Sequence, residues 1–202
     1  MELSAAMASA VARAVEASAR DLASFAGTPI EVRQAAVLAL DVAEVPGRLD
    51  SVESEYVGVY AGSRGGLPAH LLLLMTRGTA ERLCRLLLGD DLVRTWQEDD
   101  LALSAIGETG NIAVSAFLNA LAAELGTTIT PTPPLVMVDM IGAMIDALLA
   151  DMALRQPSAL MVDAQLVAPE SVLDASFVTL LDEGSLTALA LSGSGPARSS
   201  RA

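Results

Sequence analysis

Residues 101–126 read LALSAIGETGNIAVSAFLNALAAELG, and the spacing within this stretch decides the fold. Leu103, Ile106, Gly110, Val114, Phe117, Leu121 and Leu125 recur at steps of three and four, so one side of a long helix is apolar from end to end. Gly126 closes the pattern, as glycine commonly does just past a helix C-terminus. A second row on the same helix is polar: Ser104, Glu108, Asn111 and Ser115 share one face. Beside it, Gly107 and Gly110 occupy helix-interior positions, where glycine costs roughly 0.5–1 kcal/mol relative to alanine. Two readings of that cost stay open: close packing on a neighbouring element, or close approach of another macromolecule to the helix backbone.

Upstream the same pattern occurs once more. Leu3, Met7, Val11, Ala14, Ser18, Leu22 and Phe25 form a helical row that stops at Gly27 and Pro29. IEVRQAAVLALDV, EYVGVYAG and AHLLLLMT then read as strands, and GTAERLCRLLLG as a helix ending at Gly89. After the polar stretch DDLVRTWQEDD, in which Trp96 reads as a packing anchor, the long helix is followed by strand candidates TTITPTPPLVMVD, SALMVDAQLVA and SVLDASFVTLLD. A closing helix is expected over EGSLTALALSG. Gly27 and Val37 match Gly126 and Val136 at a shift of 99, while AHLLLLMT matches ASFVTLLD at a shift of 106. The difference of seven falls at IGAMIDALLADMAL, an extra helix in the second copy. These offsets predict an α+β fold: a duplicated α/β unit with pseudo-twofold symmetry, long helices packed on an antiparallel sheet. The expected organisation is one domain over 1–192, with repeats at 1–90 and 101–192, and a disordered tail at 193–202.

Composition narrows the function. With 12 arginines, no lysine and 25 acidic residues the net charge is −13, a field opposite to that of a nucleic-acid binder or a binder of anionic membranes. Cys84 and His70 are the sole residues of their types, which leaves little material for a disulfide, a zinc site or a histidine-dependent triad. Cys84 reads as a buried structural thiol and His70 as a packed or edge histidine. The N-terminal row is an amphipathic helix rather than a signal sequence, and the richest apolar stretch, 136–154, is broken by Asp139, Asp146 and Asp151. A cytoplasmic protein with protein partners is expected.

The spacing Ser104-x3-Glu108-x2-Asn111-x22-Pro134, with the local words GETGNI and LLLG, resembles the signature of the CheC/CheX/FliY family of response-regulator phosphatases, and is most similar to CheC. The resemblance implies hydrolysis of the aspartyl phosphate of phosphorylated CheY, without a cofactor of this chain's own. The Mg2+ would be supplied by the regulator. Glu108 would pair with the regulator's lysine, and Asn111 would orient the attacking water, with Ser104 and Pro134 as supporting positions. A carboxamide suits that task, since it accepts from water and donates toward a phosphoryl oxygen without adding negative charge. The first repeat lacks the pair: at the shift of 99 stand Ala5, Ser9 and Ala12. Asn119 lies outside the signature.

The extra helix carries Ile141, Met144, Ile145, Leu148, Leu149 and Met152 on one stripe. Such a stripe either packs on the protein's own sheet or, as the resemblance implies for this region, docks the deamidase CheD, with Ile141, Met144, Ile145 and Leu148 as contacts. A non-catalytic module like the middle domain of FliM, or a CheD-binding regulator, is the alternative reading of the whole chain.

Overall fold

The apolar rows of the two long helices and of the extra helix each find a face of one antiparallel sheet. The computed structural model describes residues 5–49, 53–89, 97, 99–154, 158–182 and 184. In chain order these form α1 (Ala5–Ala26), β1 (Glu31–Asp41), β2 (Glu55–Gly65), β3 (Ala69–Met75), α2 (Arg77–Leu88), α3 (Asp100–Leu125), β4 (Ile129–Pro131), β5 (Leu135–Met140), α4 (Ile141–Ala153), β6 (Ser158–Val167) and β7 (Asp174–Leu181). Trp96, the tail at 193–202 and all but Gly184 of the expected closing helix lie outside the described residues.

The strand expected over TTITPTPPLVMVD is two strands, because Pro131, Pro133 and Pro134 cannot donate to a ladder. Both pieces lie along β2: β4 opposite Ser63–Gly65 and β5 opposite Glu55–Tyr60. The sheet therefore runs β1-β6-β7-β3-β2, with β4 and β5 sharing the far edge. This order reads alike from either side of the central β3–β7 pair. Each half, however, sends its first strand to the other: β1 pairs with β6, and β5 pairs with β2.

One face of the sheet is covered by the long helices. Asp99 caps α3 by accepting from Leu101 N at 2.8 Å and Ala102 N at 3.3 Å, and Gly126 ends it in the left-handed conformation (φ 61°). Against α1, the fully buried Ser18 Oγ donates to the Ala113 carbonyl at 2.8 Å. Arg13 meets Glu124 at 2.9 Å further along, so the two helices run antiparallel. Phe117 and Phe177 meet edge to face at 5.3 Å beneath α3. By length and apolar content alone α3 could cross a membrane, but its apolar row is buried on the sheet.

The interior glycines belong to the same packing. A Cβ at Gly110 would overlap Val59 of β2, and one at Gly107 would lie 3.4 Å from Val136 Cγ2 of β5. Both glycines are buried and face inward, so they let the helix approach its own sheet rather than an external partner.

The other face carries α4, and here the docking expectation is corrected. Ile141, Met144, Ile145, Leu149 and Met152 are buried and Leu148 is half-buried, in a second core with Leu72, Leu74, Met161, Val178 and Leu180. Gly58 sits directly below, where a Cβ would come within 2.6 Å of Met144 Sδ. Burying so much apolar surface on the sheet stabilises the fold and takes Ile141, Met144 and Ile145 away from any partner, leaving only part of Leu148 outward.

Candidate functional site

Seating the apolar row of α3 on the sheet turns its polar row outward. Ser104 and Glu108 are exposed, and Asn111 and Ser115 half-buried, on the side of α3 turned away from the sheet. Asn111 Nδ2 donates to Glu108 Oε2 at 3.4 Å, a long contact between outward-facing groups. Thr109, in the same turn, is buried and donates to the Ala105 carbonyl at 2.9 Å, which keeps it out of the row. Pro134, half-buried, lies two residues before Val136, whose side chain rests against Gly107. The four spacing residues thus come from one helix and from the loop that brings β5 to its flank.

The equivalent face of α1 is built differently. Ala5, Ser9 and Ala12 are exposed, and Arg13 donates to Ser9 Oγ at 2.6 Å while pairing with Glu124 of α3. The Ser9/Arg13 spacing of four was visible in the sequence, but its tie to Glu124 depends on the α1–α3 packing. Asn119 is exposed.

Cys84 and His70 have structural surroundings. Cys84 is fully buried on α2 with Sγ 3.8 Å from the Ala102 carbonyl; burial, helped by the charges of Asp99 and Glu81, pushes its thiol up to about 11. A thiol so disposed is protonated and unreactive at neutral pH. His70 Nδ1 lies 3.0 Å from the Tyr60 hydroxyl, with the two rings stacked at 6.1 Å between centroids. Among the described residues, no three His, Cys, Asp or Glu side chains cluster as a metal site would require. A groove of about 300 Å³ lined by Arg48, Tyr56, Asp163, Gln165 and Ser176 opens on the α4 side of the sheet, away from the row.

The architecture is a duplicated helix-on-sheet fold whose second long helix carries an outward polar row beside an edge strand that follows Pro133 and Pro134. The CheC-like family model matches residues 101–138, from α3 into β5, the segment that holds all four spacing residues. The CheY-P phosphatase CheC of Bacillus subtilis (strain 168) is 30% identical over 110 residues, covering 54% of this chain and 53% of its own. The chain thus spans about half the length of that curated relative. Among solved structures, Thermotoga maritima FliY aligns over 95% of this chain and 98% of its own, with TM-score 0.66 and 19% identity. The CheX–CheY–BeF3–Mg2+ complex of Borrelia burgdorferi contains a chain that aligns over 85% of this one and 96% of its own, with TM-score 0.52 and 18% identity. The two solved structures share the fold of this chain, and the family model marks a CheC-like segment within it.

Proposed function

We propose that this chain hydrolyses the aspartyl phosphate of a CheY-type response regulator through one site, the outward row of α3. The observation that carries the reading is the placement of Glu108 and Asn111, one turn apart on an exposed helix face with the spacing of the family signature. Glu108 pairs with the regulator's lysine and docks the helix. Asn111 then enters the regulator's acidic pocket, where Oδ1 accepts from the attacking water and Nδ2 donates to a phosphoryl oxygen. Water adds to phosphorus as the bond to the aspartate oxygen breaks; the products are free carboxylate and inorganic phosphate, which retains the protons of the water. The regulator's bound Mg2+ supplies charge neutralisation. This chain contributes position rather than a nucleophile or a base, which suits a site without a usable histidine or thiol. Because Ala5, Ser9 and Ala12 offer neither anion nor amide, each chain engages one regulator. A CheD-type partner, if engaged at α4, would meet the outward Ala143, Asp146 and Ala147 rather than the buried stripe.

Phosphate release from a phosphorylated CheY-type receiver, with Mg2+ present, tests the assignment. Asn111→Ala should lower single-turnover hydrolysis about 10²-fold with nearly unchanged affinity, on the scale of removing one group that acts in the transition state. Glu108→Ala should weaken binding as well as turnover, and the defect of Glu108→Gln should be largest at low ionic strength, where charges are least screened. Full activity in Asn111→Ala would replace this reading with that of a non-catalytic binding module.

A further inference from the structure

Next to the polar row stands an apolar side chain that the fold leaves half uncovered. Leu101, in the first turn of α3, is 52% exposed, while the adjoining Ala102 is fully buried and carries the carbonyl that faces Cys84 Sγ. Leu101, Ser104 and Glu108 follow at i, i+3 and i+7, so they stand in line on one face. The backbone beneath Leu101 is already fixed, its N–H donating to Asp99 Oδ1 at 2.8 Å. Covering such a side chain costs little additional ordering.

We infer that Leu101 is the apolar anchor of the surface that receives the CheY-type receiver, and that it is buried when Glu108 meets the receiver's lysine. This rests on the phosphatase reading above. The row itself supplies little affinity: an exposed ion pair contributes about 0–1 kcal/mol, and an amide that positions water acts mainly in the transition state. Long-range attraction does not make up the difference, since a net charge of −13 does not steer toward an acidic pocket. Affinity then has to come from desolvated contact near the charged pair, where interfaces concentrate their binding energy. On α3 itself the large exposed apolar residue in line with that pair is Leu101, while Leu135, 55% exposed, follows Pro134 on the flanking strand.

The test uses the receiver that the wild-type chain dephosphorylates, held in its activated form with beryllofluoride and Mg2+. Leu101→Ala should weaken binding about fivefold and raise KM alike, as expected for losing part of one buried leucine. At saturating receiver kcat should stay within about twofold, because Asn111 is untouched. Leu101→Met should restore affinity. Leu154→Ala, at a side chain 88% exposed just past α4 on the other face of the sheet, should change nothing. Wild-type affinity in Leu101→Ala, or an equal loss in Leu154→Ala, overturns the inference; if Asn111→Ala still loses turnover, the phosphatase reading survives. If the wild-type chain dephosphorylates no CheY-type receiver, both fall.

Discussion

Gly107 and Gly110 lie three residues apart beside the proposed active groups, yet alanine should act on them in opposite directions. At Gly110 the new Cβ overlaps Val59 of β2, a side chain in the middle of a packed sheet that cannot move aside. Overpacking of that kind costs about 1–3 kcal/mol and outweighs the gain in helix propensity. At Gly107 the Cβ reaches an ordinary 3.4 Å contact with Val136, so the gain of up to about 1 kcal/mol in propensity should persist. Thermal unfolding of Gly110→Ala and Gly107→Ala would show a lowered midpoint for the first and an unchanged or raised one for the second. Two lowered midpoints would mean that Gly107 also needs its missing side chain. This distinction was not legible in the sequence, which shows a glycine's cost but not the atom opposite it. Glu108 and Asn111 were legible, because a polar pair at helical spacing beside an apolar row has its direction set by the helix period alone.

Among the elements, α4 marks where periodicity stops being informative. Its stripe at i, i+3, i+4, i+7 and i+8 states that one side of the helix is covered, and by nothing more than that could fit a partner or a sheet. The covering surface here is the second sheet face, whose Leu72, Leu74, Val178 and Leu180 were hidden in runs with apolar residues at adjacent positions, LLLLM and the FV and LL of SFVTLL. Strands buried on both faces lose the alternation that would have announced a second core. Met144→Asp should therefore destabilise the chain by about 3–5 kcal/mol, as an unpaired charge placed in a core does. Urea unfolding should show the loss with no partner present. A variant of wild-type stability that fails only in partner binding would return the stripe to the surface.

At the scale of the whole molecule, the duplication visible in the two offsets is real, but the halves are not neighbouring units. Exchange of the first strands leaves β2 without its outer partner in residues 1–90 alone, and β6 without its outer partner β1 in residues 99–202. Expressed separately, each half should lack a cooperative unfolding transition by circular dichroism, and mixing them should restore one. Cooperative folding of either half alone would contradict the exchange. Pairing partners were beyond the reach of the sequence because alternation fixes which face a residue takes, not which strand lies beside it. The same exchange gives the silent first half a lasting occupation. Asn111 rides on a helix whose Gly110 is seated on Val59, a residue contributed by the repeat that has no amide or carboxylate of its own at the matching positions. That repeat is a foundation rather than a relic. Its Ala5 and Ala12 face outward, whereas a change in its inner strand at Val59 would shift the helix above it and with it the proposed aim of Asn111.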